Sequence, residues 1–276
     1  MSAPDTSAVR CTAYASGACS VVATGLAVLL IVLSVTSDVH GCDMVQFTHL
    51  NATCLRDNFS RERENRFYDF TFDIADAMAN LLAIPPVLML AHLYRHSGSA
   101  AKLMVPCFAA GVGVTAFQLV NRAGTHTAID WMSGPDWNLD DDQVRMLAIS
   151  SFINRSQGIW MFALDFLLEA IGMLCAANLV YSSDKVISRW WAHLGVFGAF
   201  LGLLSFFMEI GRFGSWQLMD EVAGITMAVL GFIIQPIWIV WLGASLDSAA
   251  AHAYAPARRI ADQDRSGVEM GRAERL

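Results

Sequence analysis

The chain has 276 residues, of which 55% are apolar and 16% are charged. A soluble domain carries about 25% charged residues on average, so this composition argues against a water-soluble globule. The net charge of −7, with only two lysines among the 18 basic residues, also excludes the basic surface that a nucleic-acid-binding protein needs. We therefore expect no nucleic-acid partner and a chain whose solvent is the lipid bilayer.

Six apolar segments determine the predicted fold class. A transmembrane helix needs about 20 predominantly apolar residues. Such segments lie at residues 13–35, 70–94, 103–121, 159–181, 191–210 and 222–246. The first is too long for the core of a signal peptide, so we expect it to be retained. The sequence thus predicts an all-α, polytopic protein of the plasma or inner membrane, with six helices in residues 1–246 and a mobile tail at 247–276.

The orientation follows from charge and cysteine. The side that holds both termini carries ten basic residues and the opposite side carries eight, which weakly favours cytoplasmic termini. Cys42 and Cys54 flank a polar outer connection, residues 36–69, and their spacing suits a small disulfide-closed loop in an oxidising compartment. Two unpaired thiols remain the alternative. We interpret the other cysteines as small packing residues: Cys11, Cys19, Cys107 and Cys175.

A polar stripe inside the second helix is the strongest functional signal. Its members are spaced by four, three and four residues, so they share one helix face: Asp69, Asp73, Asp76 and Asn80. Each aspartate at the centre of a bilayer costs about 2.5–3.5 kcal/mol on insertion, so the stripe must face protein or water. Pro85 and Pro86 follow, and they predict a kink or break in the helix below the stripe.

The other helices add polar residues at similar depth. On the fourth helix, Asp165 and Glu169 lie one turn apart and could share a proton or a cation. Gln118 and Arg122 lie on a stripe of the third helix with Gly111 and Thr115, and the fifth helix ends in Glu209 and Arg212. When the helices cross the bilayer alternately, these groups fall in the outer half or near the midplane.

This placement predicts an acidic polar cavity that faces outward. Arg122 and Arg212 are its expected counter-charges, and its expected ligand-binding residues are Asp73, Asp76, Asn80, Gln118, Asp165, Glu169 and Glu209. Such a cavity would bind or transport a cation or a small polar or cationic solute, with coupling to protons as one option. The alternative is a non-catalytic membrane component or assembly partner, in which buried charges fix the helix register. A homo-oligomer and a membrane partner both remain open.

The sequence supports no particular enzyme. It has no histidine or cysteine cluster at zinc or copper spacing, no phosphate-binding loop and no hydrolase motif, so we assign no catalytic residue, metal or cofactor. Aspartates of the second and fourth helices could hold Mg²⁺ for a lipid-phosphate reaction, a third hypothesis without matching signature spacings. The close of the sixth helix is similar to endings of uncharacterised six-helix bacterial membrane proteins, which implies no activity: Pro236, Trp238, Trp241, Leu242 and Gly243.

Overall fold

The computed structural model describes residues 6–36, 52–95, 99–132, 139–182, 186–212 and 217–252, and these contain helices and no strand. The first five helices are α1 (Ser7–Thr36), α2 (Ala52–Leu93), α3 (Ser99–Met132), α4 (Asp141–Ser182) and α5 (Arg189–Arg212). The next helix, α6 (Gln217–Val229), runs into a π-helical turn (Leu230–Ile234) and resumes as α-helix over residues 235–252. We refer to residues 217–252 as the sixth helix.

Six membrane-spanning helices confirm the predicted fold class. Each helix contains an apolar segment long enough to cross a bilayer: Ser7–Leu33, Arg63–Leu93, Ser99–Ala128, Trp160–Ser182, Arg189–Gly211 and Gly224–His252. The protein is therefore an all-α polytopic membrane protein in contact with lipid. The sixth helix continues to residue 252, so the first residues of the predicted tail are helical, while residues 253–276 lie outside the described chain.

Two helices are much longer than their apolar spans. α2 and α4 have 42 residues each, or about 63 Å, against a hydrocarbon core of about 30 Å. Their N-terminal parts pack together beyond the spans through Leu55, Phe59 and Val144. Arg56 adds an ion pair of 2.9 Å with Asp141. This contact joins the two helices that carry Asp73, Asp76, Asp165 and Glu169.

The six helices pack in chain order, and the sixth also packs against α1. Contacts join each helix to the next, and the π-helical turn contacts both α1 and α5. At the end of the bundle that holds Ser7, Asp247 accepts hydrogen bonds from Thr6 and Arg10. We call this the inner end, because the sequence predicts it to be cytoplasmic.

An apolar core fills the inner half of the bundle. Trp191 of α5 stacks on Trp238 of the sixth helix, with ring centroids 4.5 Å apart, and its indole nitrogen donates to the Trp238 carbonyl across 2.8 Å. The ring centroid of Phe108 of α3 lies 6.3 Å from that of Trp238. All three side chains are fully buried. We call these three residues the aromatic plug.

The predicted helix break does not occur in α2. The helix continues through Pro85 and Pro86. In the apolar interior no water can satisfy a freed backbone group, which favours keeping the rest of the helix bonded around the two prolines. The irregular turn lies instead in the sixth helix and ends two residues before Pro236.

Candidate functional site

The polar stripe of α2 meets an arginine of α3. Arg122 Nε lies 3.5 Å from Asp73 Oδ1, and Arg122 Nη2 lies 4.0 Å from Asp69 Oδ1. The guanidinium also lies over the ring of Phe72, 5.7 Å from its centroid. The side chains of Arg122 and Asp69 are 37% and 16% exposed, whereas that of Asp73 is 2% exposed. The stripe thus passes from partly exposed groups into the interior.

Three carboxylates lie close together deeper in the bundle. Asp165 and Glu169 are buried on α4, and Asp76 of α2 is near enough to repel both electrostatically. Thr115 of α3 donates its hydroxyl to Asp165 Oδ2. Among the described residues, no arginine or lysine forms an ion pair with any of the three, although Arg122 attracts Asp76. We call Asp76, Asp165 and Glu169 the carboxylate cluster.

One amide side chain of the sixth helix forms hydrogen bonds with both α2 and α4 at this cluster. Gln235 Nε2 donates to Glu169 Oε1 and to Asn80 Oδ1, at 3.1 Å each. Asn80 Nδ2 in turn donates to the carbonyl and the carboxylate of Asp76, at 3.0 and 3.4 Å. Sequence reasoning missed Gln235. Two features of the sequence could have identified it. Gln235 is the only amide side chain in the apolar run 222–246, and it directly precedes a proline.

A glycine of α3 makes room for the carboxylates. A Cβ atom on Gly111 would lie 2.9 Å from Asp165 Oδ1 and 3.1 Å from Glu169 Cγ. Gly158 of α4 has a similar role, since its Cβ would lie 3.0 Å from Gln118 Nε2. These positions allow α3 and α4 to approach closely while polar side chains fill the space between them.

The buried polar atoms without a hydrogen-bond partner are mainly oxygens in this part of the bundle. Among the described residues they include both carboxylate oxygens of Asp73, Gln118 Oε1 and Asp165 Oδ1. Carboxylate and amide oxygens act as acceptors. The site therefore has capacity left for a proton, for a cation or for a group that donates N–H or O–H.

The free volume at the polar centre is small. A pocket of about 10 Å³ lies between α1, α2 and the sixth helix, and Asp76, Asn80 and Gln235 are among its lining residues. This volume holds about one water molecule. An outward-facing acidic cavity of solute size thus remains a prediction.

A comparison with protein families assigns the chain to a family. A family model described as a domain of unknown function, DUF4386, matches residues 72–243. The chain belongs to the DUF4386 family. The DUF4386 region contains the carboxylate cluster, Arg122 and Gln235, whereas α1 precedes it. No curated protein and no solved structure matches the chain.

The remaining predicted residues fall elsewhere. Within the DUF4386 region, Glu209 is buried on α5, one turn after Ser205, whose hydroxyl donates to Thr226 of α6 across 2.9 Å. Because the two residues are four positions apart, Glu209 lies on the same face of α5 as Ser205, and its role in ligand binding stays a prediction. The side chain of Arg212 lies outside the described part of the structure.

The cysteines and the metal-ligating side chains can also be compared with the structure. Cys42 lies outside the described residues, so the Cys42–Cys54 disulfide stays a prediction. The cysteines on the membrane helices are free: Cys11, Cys19, Cys107 and Cys175. In the described ranges, no three histidine, cysteine or acidic residues are grouped so that they could hold a metal ion.

Proposed function

We propose that this protein binds a small cation, or a small polar or cationic solute, at the carboxylate cluster and carries it across the plasma or inner membrane. The observation that supports this most is the burial of Asp165 and Glu169 beside the half-buried Asp76, with no ion pair between any of the three and a described arginine or lysine. A buried, unpaired carboxylate is costly in a bilayer, so such groups take up a proton or pair with a cation. The cluster therefore needs an exchangeable positive charge.

Among the described residues, a series of polar groups leads to the cluster from the predicted outer side. Arg122, Asp69 and Asp73 form a series of decreasing exposure, with side chains 37%, 16% and 2% exposed. The aromatic plug lies on the opposite, inner side. Because the pocket at the centre holds about one water, we take the described form to be closed, and passage requires both sides to open in turn.

Coupling to protons is part of the proposal. Two carboxyl groups one turn apart, such as Asp165 and Glu169, can share a proton and exchange it for a cation. Binding of the solute on one side of the membrane would then release a proton there.

Ligand-dependent stability tests the proposed binding. The full chain, purified in detergent, is heated in the presence of Na⁺, K⁺, ammonium, guanidinium or a polyamine, with choline chloride keeping the ionic strength constant. A ligand of the native state raises the unfolding temperature saturably by mass action. We expect Asp165→Asn and Glu169→Gln to abolish this rise. Asp142→Asn is the matched control, since its carboxylate is on the same helix and 88% exposed.

Two results would overturn the proposed function. The first is that no cation or solute stabilises the wild-type chain. The second is that stabilisation by a ligand persists at the same concentration in both Asp165→Asn and Glu169→Gln.

A structural role is the second candidate, and the Arg122–Asp73 ion pair favours it. Together with the hydrogen bonds of Gln235, this pair joins α2, α3, α4 and the sixth helix. In that case the polar groups fix the packing of a membrane component that acts through a partner or a second copy of the chain. No specific observation favours a Mg²⁺-dependent lipid enzyme.

A further inference from the structure

The pocket between α1, α2 and the sixth helix contains more than the carboxylate cluster. Its polar lining consists of side chains from three helices and one glycine in the π-helical turn: Ser16, Ser20, Asp76, Asn80, Gln235 and Gly231. Its volume of about 10 Å³ fits one occupant of the size of a water molecule. The serines were not among the predicted site residues, and they lie outside the segment that matches the family.

The two serines present only lone pairs to this pocket. Ser16 donates its hydroxyl hydrogen to the carbonyl of Ala79 across 2.7 Å, and Ser20 donates to the carbonyl of Ser16 across 3.0 Å. Both side chains are buried. A hydroxyl has one hydrogen and two lone pairs, so each oxygen can still act as an acceptor or as a metal ligand.

The π-helical turn leaves the Gly231 carbonyl without its usual helical donor. An α-helix would bring it the backbone N–H of residue 235, and a π-helix that of residue 236. The Gln235 N–H bonds to the carbonyl of Leu230. Residue 236 is proline and has no N–H. The carbonyl of a residue that lines the pocket is therefore available to a ligand.

The hydroxyl, carboxylate and carbonyl oxygens that line this pocket are hard ligands. Asp76 is the one residue among them with a formal charge. Oxygen ligands suit hard cations, and interrupted membrane helices coordinate Na⁺ through their freed carbonyls. One carboxylate balances one monovalent ion. We propose that Ser16, Ser20, Asp76 and Gly231 bind a single dehydrated Na⁺. This inference rests on the proposed function, of which it names the cation.

Sodium binding to the purified full chain tests the site. We expect radioactive sodium to bind to the wild type with about one ion per chain, and NaCl to raise the unfolding temperature more than KCl or choline chloride at equal ionic strength. Loss of one neutral ligand in Ser20→Ala should weaken sodium binding about tenfold. Asp76→Asn should abolish it.

A matched control separates ligation from local helix chemistry. Ser245 donates to the carbonyl of Trp241, four residues earlier, as Ser20 does to that of Ser16. Ser245 is not among the residues that line the pocket. Ser245→Ala should therefore bind sodium like the wild type. If Ser20→Ala does not fold, Ser16→Ala takes its place in the comparison.

Each alternative outcome contradicts the sodium site in a distinct way. No sodium binding to the wild type, as expected if the pocket holds only water, overturns the inference. The proposed function still stands in that case if another cation or solute stabilises the chain through Asp165 and Glu169. Sodium binding that survives both serine substitutions and Asp76→Asn places the ion elsewhere and overturns the inference. A wild type that responds to no cation or solute overturns both.

Discussion

Gln235 Nε2 lies 3.1 Å from Glu169 Oε1, and the same nitrogen donates to Asn80 Oδ1 at the same distance. A single amide of the sixth helix thus joins α2 and α4 at the level of the carboxylate cluster. It does so from the first residue after the π-helical turn. A change in this turn would alter the hydrogen bonding of Glu169 directly.

Gln235→Leu should destabilise the protein. The substitution keeps most of the side-chain volume but leaves Asn80 Oδ1 and Glu169 Oε1 without their donor. An unsatisfied buried polar group costs about 1–3 kcal/mol, so we expect a clear fall in the free energy of unfolding in detergent. Gln157→Leu is the control, because Gln157 is exposed on α4 and should change stability by about 0.5 kcal/mol or less. Equal effects of the two substitutions would show that the bridge is energetically unimportant.

Gly111→Ala should displace the two carboxylates of α4. The added Cβ atom would lie 2.9 Å from Asp165 Oδ1, so that side chain or the helix must shift. Overpacking of this kind costs about 1–3 kcal/mol, and it should also weaken stabilisation by the cation or solute. On the same helix, a Cβ on Gly113 meets nothing within 4 Å, so Gly113→Ala should be close to neutral. A Gly111→Ala chain with unchanged stability and ligand response would contradict the packing described for α3 and α4.

Arg122→Met tests the ion pair at the start of the polar path. Removing one partner of a buried pair costs about 3–5 kcal/mol. We expect a smaller effect, about 1–3 kcal/mol, because the Arg122 side chain is 37% exposed and its charge is partly screened. The double variant Arg122→Met/Asp73→Asn should regain part of the lost stability, since no charge is then left unpaired. The measurement is a double-mutant cycle followed by thermal unfolding. If the losses of stability in the two single variants simply add up in the double variant, the two side chains do not interact.

Accessibility of the two ends of α2 tests the predicted orientation. In a cysteine-free background, Arg56→Cys and Arg95→Cys place thiols at opposite ends of the helix, both exposed. A membrane-impermeant maleimide added to intact cells should label Arg56→Cys, and should label Arg95→Cys only after permeabilisation. The reverse pattern would place the termini on the outer side and would turn the polar entrance toward the cytoplasm.

The sequence was sufficient for the number of spans and for the polar face of α2. Membrane helices need long apolar runs, so their number follows directly from composition along the chain. The periodicity of Asp69, Asp73, Asp76 and Asn80 identified one face, because a helix repeats every 3.6 residues. These local patterns do not depend on which helices are neighbours.

The partners of these residues could not be predicted in the same way. Gln235 is a single polar residue without periodicity, and its contacts with α2 and α4 depend on the packing of the sixth helix. Pro85 and Pro86 predicted a kink or a break, and α2 has no break, whereas the irregular turn precedes the single Pro236. A pattern along one helix therefore did not determine which side chains of the neighbouring helices it meets.

Infrared spectroscopy of the carboxyl groups tests the central claim most directly. The claim is that Asp165 and Glu169 hold an exchangeable proton or cation. We predict that adding the ion or solute that stabilises the wild type changes the carboxyl stretching bands, and that this change is lost in Asp165→Asn and Glu169→Gln but kept in Asp142→Asn. A spectrum that does not change on addition, or a change that persists in both cluster variants, would contradict the account.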